Sequence, residues 1–450
     1  MKTRRWAVLV CVGAVASVLG TRPLHSASPC GTDLVCNWNE LALKTARLAP
    51  NPAPQPSGLN DARAARLYAM VNAAMYDAVN GIVSQHGGHE GSGHGAREER
   101  GYALVPPDGA KPHGNPGVAA AAAARAVLAG EFPAFAGGFP DLTPGYDAQL
   151  QSDRADGGVG QGSAGEKWGA YVGSQVRALR AADIETVSQS AVAPAPGVYN
   201  AAWSGINLAP FAVAYPVGPG PAPLGSLDYA AAFAEVKLLG NAGIIDDAKL
   251  ATFRFWSLGN PTSQPPGAWI QVALTVTGDR ALELADKTRL LALLTIAMAD
   301  TVRPTTLTKA AHRHWRPTLA IQQAASDGNP YTDPEGWTQR GTAATSPENW
   351  SGHSAFGGAG AAVLAGFFCN DNIPVTMQTD SAVLNGLPAR SYASFSAVGA
   401  EMGQSRVVGG LHFPFSNQQG LAAGRAIAAQ VLAEKLLRRD RPTHFGACPR

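Results

Sequence analysis

Charged residues are scarce in this chain, at only 15% of its 450 residues, against about 25% in an average soluble domain. The 35 Lys and Arg residues nearly balance the 33 Asp and Glu residues, which gives a net charge of +2. This balance argues against a nucleic-acid-binding protein, which would carry a concentrated basic face. No interior segment reaches the roughly 18 consecutive apolar residues that a membrane-spanning helix needs.

The N-terminus has the layout of an export signal. Three basic residues among the first five precede the apolar run WAVLVCVGAVASVLG, and Ser26 and Ala27 supply small residues for cleavage. We therefore expect residues 1–27 to be removed and the mature protein to be periplasmic or secreted; an uncleaved membrane anchor is the alternative. Without this segment, which holds four basic residues and no acidic ones, the net charge becomes −2.

Cysteine is also scarce, with five residues in the whole chain. One of them lies in the export signal, and the even set that remains in an exported protein favours two disulfides. The remaining cysteines are Cys30, Cys36, Cys369 and Cys448. Cys30 and Cys36 form the local pair that we favour, and four unrelated thiols are the alternative.

Helical signals dominate the sequence that remains. Eight segments have apolar residues at three- and four-residue steps or are rich in Ala and Leu. They are residues 60–80, 117–128, 163–182, 228–240, 281–301, 354–368, 391–404 and 418–438. Alternating Val, Ile and Thr runs are nearly absent, which argues against an all-β or doubly wound fold. We predict an all-α protein built from helical bundles.

The length suits two or three domains. We expect an N-terminal helical region with long loops at 28–240 and a C-terminal helical bundle at 241–450. The 51 Gly and 33 Pro residues indicate long surface connections. These lie near 50–58, 104–116, 193–225 and 257–267. The histidine-rich tract 86–95 is predicted to be a solvated loop, because glycine spacing gives no fixed ligand geometry.

Three clusters in the C-terminal third carry the chemistry. They are KAAHRHWRP at 309–317, WSGHS at 350–354 and SRVVGGLH at 405–412. Lys309 and Arg316 are two helical turns apart, so both can project from one face of a helix. Backbone N–H groups at the start of a helix attract an anion, and Ser351 and Gly352 precede such a start. With the planar donor fork of Arg406, these groups predict a binding site for phosphate or a phosphate-like ion.

Two histidines in these clusters are suited to proton transfer or nucleophilic attack, namely His353 and His412. The pair Gly409–Gly410 predicts a tight turn that presents His412 rather than burying it in a helix. Each residue alone is more often solvated or structural. The spacing of all seven residues together favours a functional site.

The pattern K-x6-RP, SGH and SR-x5-H resembles the superfamily of vanadium-dependent haloperoxidases and type 2 phosphatidic-acid-phosphatase-like (PAP2) acid phosphatases. Order, spacing and residue types agree in all three motifs. The flanking sequences DGNPYTDPEGW, SGHSAFGGAGAAVLAGFF and GLHFPFSNQQGLAAGR look like the bacterial haloperoxidase branch. So do AMVNAAMYDAVNG near the start of the chain and DYAAAFAEVKLLG in its middle.

The resemblance implies a role for each of the seven residues. His412 corresponds to the histidine that binds vanadate apically, and His353 to the acid–base histidine that protonates peroxide. The remaining residues correspond to those that neutralise or hydrogen-bond the vanadate oxygens; they are Lys309, Arg316, Ser351, Gly352 and Arg406. Phosphate could occupy the same site. The implied reaction oxidises a halide with hydrogen peroxide, with a small organic compound as a further acceptor.

The sequence departs from the family pattern at two positions. Trp350 stands where proline is usual, and it either reshapes the pocket wall or fills the same space. Ser416 stands where the phosphatase motif has an aspartate that orients the final histidine, and it supplies no charge. Asp371 and Asp380 are the candidates for replacing that carboxylate. His312, His314, Trp315 and Phe413 are candidates for a halide channel, with helix packing or surface placement as the alternative.

Two other functions stay open at this point. One is an exported acid phosphatase with a phosphohistidine intermediate, in which His412 is the nucleophile and His353 protonates the leaving group. The other is a non-catalytic oxyanion-binding relative, suggested by Trp350 and Ser416. The oligomeric state is also open, and a homo-oligomer is one of the assemblies considered.

Overall fold

The protein is described by a computed structural model that covers residues 30–49, 58–86, 101–107, 112–132, 140–280 and 282–437. Helices form most of it. They are α1 (Leu34–Leu48), α2 (Asp61–His86), α3 (Pro116–Glu131), α4 (Thr143–Asp156), α5 (Ala164–Leu179), α6 (Leu227–Leu239), α7 (Asp247–Phe255), α8 (Gln264–Gly278), α9 (Leu284–Asp300), α10 (Val302–His312), α11 (Pro317–Gln322), α12 (Gly352–Phe368), α13 (Asp380–Leu384), α14 (Phe395–Val408) and α15 (Pro414–Glu434).

The strands of the described residues form two small antiparallel pairs. Strand β1 (Ile184–Gln189) pairs with β2 (Trp203–Leu208), and β3 (Val375–Met377) pairs with β4 (Arg390–Tyr392). Neither pair forms a layer of the core. The predicted all-α, helical-bundle fold is therefore confirmed.

All eight helices predicted from the sequence are present, with shifts of a few residues at their ends. Side-chain caps account for several of the starts: Asn115 caps α3, Ser163 caps α5 and Ser226 caps α6. The segment predicted at 391–404 instead begins as β4, and its helix starts at Phe395. The sequence interpretation missed further helices, among them α1, α4, α7 and α8.

The predicted surface connection at 257–267 is wrong in its last part. Residues 264–267 form the first turn of α8, and all four are buried. Pro265 and Pro266 caused the error, because proline usually interrupts a helix. In the first turn it is tolerated, since its missing N–H would have no helical partner there.

Glycines set the spacing between the two helices that frame the C-terminal bundle, α12 and α15. A Cβ on Gly424 of α15 would lie 2.1 Å from the carbonyl oxygen of Ala355, and one on Gly358 of α12 would lie 2.2 Å from that of Leu421. The two backbones therefore touch without side chains between them. Since both helices begin beside the three sequence clusters, this close contact fixes where their N-termini lie.

One hydrophobic cluster joins the two halves of the chain, because α2 packs against α9 within it. Residues Leu284–His312 are long and apolar enough to cross a membrane by length and composition, with a mean hydropathy of 1.3. Of that apolar window, 83% is buried inside the protein, as in the core helix of a folded bundle. The division at residues 240 and 241 stays a prediction.

The predicted disulfide between Cys30 and Cys36 is confirmed, with Cα atoms 5.4 Å apart. Cys448, a member of the second expected pair, lies outside the described residues. So do the predicted export signal at 1–27 and all of the histidine-rich tract except His86.

We expect Gly424→Ala to lower the free energy of unfolding by about 1–3 kcal/mol, because the new methyl group forces α12 and α15 apart. Urea denaturation followed by circular dichroism measures this. Gly145→Ala in α4 is the matched control: nothing lies within 4 Å of a Cβ there, so this helix should be unchanged or slightly more stable. Equal effects of the two substitutions would contradict the packing argument.

Candidate oxyanion-binding site

Lys309 and Arg316 do not share a helix, contrary to the sequence interpretation. Helix α10 ends at His312, and Arg313 adopts a left-handed conformation with φ 43°. The chain then runs extended to Arg316, which precedes α11. Pro317 is the first residue of that new helix rather than the end of the old one. Lys309 and Arg316 nevertheless lie close together. Arg316 lowers the pKa of Lys309, and both cations lower the pKa of His412.

The start of α12 presents the second cluster. Ser351 is the N-cap: its Oγ accepts the backbone N–H of Ser354 at 3.3 Å and the Ser354 hydroxyl at 2.7 Å. Gly352 follows, and a Cβ placed on it would meet only Asp61 Oδ2, at 3.7 Å. The space in front of this helix start is open to a ligand.

Arg406 in the last turn of α14 has buried donors without acceptors. Its Nε and one terminal nitrogen are inaccessible and have no hydrogen-bond partner. The guanidinium lies 5.7 Å from the centre of the Phe253 ring. Burial and the nearby Arg316 lower the pKa of Arg406 to about 9. An unpaired buried guanidinium destabilises the protein unless an anion accepts its N–H groups.

Lys309 and Arg316 are held by backbone carbonyl groups. Lys309 Nζ donates to the carbonyl oxygens of Pro347 and Glu348 at 2.7 and 3.0 Å, which uses two of its three N–H groups. Arg316 donates to Ser346 O and Leu411 O, both at 2.7 Å. The two cations therefore tie the segment before α12 to the turn before α15.

His412 sits in the predicted turn between α14 and α15, where Gly410 has φ 72°. It is nonetheless buried, with 6% of its surface exposed. Its Nδ1 lies 3.0 Å from Glu348 Oε1 and 3.1 Å from Ser416 Oγ, while its Nε2 lies 2.8 Å from a terminal nitrogen of Arg316. Since arginine only donates, the ring carries its proton on Nδ1 and a lone pair on Nε2.

The electrostatic surroundings keep His412 neutral. Burial lowers its pKa well below the usual histidine range, and Arg316, Lys309 and Arg406 lower it further. Burial also raises the pKa of Glu348 to about 7, against the opposing effect of Arg316 and Lys309. A neutral imidazole whose far nitrogen donates to a carboxylate is the form in which histidine binds metals.

Glu348 supplies the carboxylate that Ser416 lacks. The two candidates named from the sequence were wrong: Asp380 pairs with Arg47 at 2.8 Å, and Asp371 hydrogen-bonds Ser396. Glu348 also accepts the backbone N–H of Phe413 at 2.8 Å, which fixes it against the histidine turn. Sequence reasoning missed it although it stands only three residues before Ser351.

His353 lies in the first turn of α12, and its Nε2 is buried without a hydrogen-bond partner. Burial and Arg406 lower its pKa well below the usual range, against the opposing effect of the backbone of Ser257 and Trp256. The ring is therefore neutral, and one of its nitrogens can accept a proton. A lone unpartnered nitrogen in a buried place indicates a ligand contact.

Trp350 fills space in the wall rather than opening the pocket. It is 1% exposed, and a Cβ on Gly218 would lie 1.9 Å from its indole ring. Three side chains hold the loop that carries Gly218 by donating to consecutive carbonyl groups. His312, with its proton on Nε2, donates to Gly218 O, Asn349 donates to Pro219 O, and Gln419 donates to Gly220 O. The bulky tryptophan therefore depends on a glycine in the opposing loop.

The other aromatic candidates pack in the core and do not line a channel. His314, Trp315 and Phe413 are buried. His314 lies within 6.2 Å, centre to centre, of the rings of Tyr229 and Phe413, and burial lowers its pKa to about 3. The alternative of helix packing is correct for these three residues.

The structure thus gathers all seven predicted residues around the start of α12 and the histidine turn. Three cations face two carboxylates there, those of Glu348 and Asp61. Nothing in the sequence beyond its place at a helix start indicated that Asp61 belongs to this site. The unpartnered nitrogens of Arg406 and the open space at Gly352 fit a tetrahedral oxyanion such as phosphate or vanadate. Among the described residues, no group of three or more His, Cys, Asp or Glu side chains could instead hold a metal cation.

Residues 289–438 match a family model described as the VCPO second helical-bundle domain. A solved structure of a bacterial vanadium-dependent iodoperoxidase is similar, with a TM-score of 0.64 and 20% identity over 89% of this chain and 95% of that one. A holo-type bacterial vanadium-dependent chloroperoxidase gives a TM-score of 0.56 and 13% identity over 88% and 96%. Its apo-type counterpart gives 0.54 and 12% over 82% and 92%. No curated protein matches the chain by sequence.

We expect phosphate to raise the melting temperature of the protein, since a ligand at a hundredfold excess over its Kd stabilises the native state by about 2.7 kcal/mol. Arg406→Met should abolish this shift without lowering the anion-free melting temperature, because it removes two buried nitrogens that have no hydrogen-bond acceptor. Differential scanning calorimetry with and without phosphate measures both.

Arg390→Met is the matched control for this measurement. Arg390 pairs with Glu401 at 2.6 Å, so its loss should lower the melting temperature while the phosphate shift remains. A phosphate shift that survives in Arg406→Met would place the anion elsewhere.

Proposed function

Residues 289–438 belong to the vanadium haloperoxidase and PAP2-like superfamily and the whole chain has its fold, and from this premise we propose that the protein is a vanadate-dependent haloperoxidase. It would oxidise a halide with hydrogen peroxide to a hypohalous-acid equivalent. One observation carries the proposal: the lone pair of a neutral, buried His412 faces the buried cations of the oxyanion site.

The residues that would hold vanadate are those that the sequence predicted. His412 would bind it through Nε2, and the other contacts would be made by Lys309, Arg316, Ser351, Gly352 and Arg406. When bound, vanadate supplies Lewis-acid chemistry toward hydrogen peroxide. The third N–H of Lys309 and the free donors of Arg406 would neutralise charge on the oxygens, in a buried site where water screens little.

Two side chains, Glu348 and His353, hold or transfer protons at this site. Glu348 accepts the Nδ1 proton of His412, which leaves a lone pair on Nε2. Arg316 donates to this lone pair at 2.8 Å and would have to give way for His412 to bind vanadate. His353 is neutral and its Nε2 is buried, so it can take a proton from hydrogen peroxide and return it to an oxygen that leaves. The low pKa of His353 favours the return of that proton.

A cavity of about 210 Å³ adjoins the site on the other side of Arg316. Leu319 and Leu411 give it apolar surface, and Asn200 and Gln322 give it amide groups. We propose this cavity as the place for a small organic acceptor. Because Arg316 lines both the cavity and the oxyanion site, an acceptor in the cavity would lie next to the oxidant.

We also propose that the protein is exported, on the basis of its N-terminal sequence.

An acid phosphatase is the second candidate. The His412 Nε2 lone pair could equally attack phosphorus, and Glu348 replaces the orienting carboxylate whose loss at Ser416 argued against that chemistry. Three cations would stabilise the charge that develops on the phosphoryl oxygens. A non-catalytic oxyanion-binding relative is the third candidate.

We expect the vanadate-loaded protein to oxidise iodide or bromide with hydrogen peroxide, and His412→Ala to abolish this activity because it removes the side chain that would bind vanadate. Steady-state halide oxidation measures it, with His113→Ala, an exposed loop histidine, as the control that should retain full activity. Phosphomonoester hydrolysis by the vanadate-free protein, without halide oxidation, would replace the proposal by the phosphatase. Vanadate binding with neither activity would support the non-catalytic relative.

We expect Glu348→Gln to lower vanadate affinity and halide oxidation about 10- to 100-fold, the usual effect of losing the partner of a ligating histidine. Ser416→Asp should restore much of this loss in the double variant, since position 416 also faces Nδ1 of His412 at 3.1 Å. Calorimetric titration with vanadate and steady-state rates measure both. An unchanged Glu348→Gln protein would show that the carboxylate does not orient His412.

A further inference from the structure

Asp61 places a carboxylate against the oxyanion site from an unexpected part of the chain. It is the first residue of α2, remote in sequence from the three clusters. Outside α12 and the chain neighbours of Gly352, its Oδ2 is the one atom of the described residues within 4 Å of a Cβ built on Gly352, at 3.7 Å. Asp61 therefore borders the space at the start of α12 in which the proposed anion would bind.

The protein itself leaves Asp61 without a side-chain donor. Its Oδ1 accepts the backbone N–H of Ala62 at 2.8 Å, and no side chain of the described residues donates to the carboxylate. Burial raises the pKa of Asp61, while Ala62, Lys309 and Arg406 oppose the rise. These two cations, with Gly352 at the start of α12, are the groups that face Asp61 from the neighbouring elements. They favour its carboxylate form.

A carboxylate in an anion site is unfavourable unless the anion itself supplies a hydrogen-bond donor. Two facing oxygens that both carry negative charge repel each other. An oxyanion that keeps a proton at neutral pH can instead donate its O–H to the carboxylate. Phosphate and vanadate keep a proton under these conditions, whereas sulfate does not.

We propose that Asp61 is a specificity-determining residue that selects protonated tetrahedral oxyanions and rejects fully ionised ones such as sulfate. The inference rests on the proposed function, because it concerns the ligand of the same site. Rejection by an introduced repulsion is a common route to specificity between ligands of equal size and shape. In an exported protein, it would keep the site available to its cofactor when sulfate is present.

The test is calorimetric titration of the whole mature protein with inorganic phosphate, orthovanadate and sulfate at neutral pH. We expect the unmodified protein to bind phosphate and vanadate at least about tenfold more tightly than sulfate. Asp61→Asn keeps the size of the side chain and should tighten sulfate binding by about tenfold, since the repulsion is gone. Asp61→Ser keeps an acceptor for Ala62 and should give the same change if the first variant does not fold.

Asp247→Asn is the matched control, because Asp247 is also the first residue of a helix but is exposed. It should leave all three affinities unchanged. Folded Asp61 variants that bind sulfate no more tightly than the unmodified protein would overturn the inference while the oxyanion site stands. An unmodified protein that binds neither phosphate nor vanadate would overturn the proposed function and the inference with it.

Discussion

The burial of three cations in one place is the constraint on which the rest of the structure depends. Lys309 and Arg316 are buried, and Arg406 is half-buried with two inaccessible nitrogens; a charge in such a place is costly unless it is paired. Backbone carbonyls accept four N–H groups of the first two cations, but Arg406 retains nitrogens with no acceptor. The protein thus tolerates an incompletely satisfied site, as the proposed anion binding requires.

The fold supports this site through contacts between backbones rather than between large side chains. Glycines on α12 and α15 bring these helices together, so the N-cap serine and the histidine turn cannot move independently. The carbonyl groups accepted by Lys309 belong to the segment just before α12, and one accepted by Arg316 precedes His412. Binding residues and packing residues are therefore adjacent along the chain.

The sequence predicted α6 and α12 to within two residues at each end, where small and apolar residues recur over several turns. It failed where local rules conflict with tertiary contacts. Pro265 and Pro266 looked like a loop but begin α8, and seven-residue spacing suggested one helix for Lys309 and Arg316. In the second case Arg313 leaves the helical conformation, and no local pattern marks that residue as a break. Motif spacing therefore named residues that do lie together, but for a partly wrong geometric reason, and their functional roles stay predictions.

The sequence by itself determined the helical architecture and the seven residues that share the oxyanion site, because periodicity and motif order are local properties of a chain. Only the tertiary structure decided which carboxylates join them. Glu348 replaces the acid missing at position 416, and Asp61 arrives from a helix more than 200 residues away. Electrostatic partners are chosen by distance in space, and a buried charge takes whichever partner the packing of distant helices brings within reach.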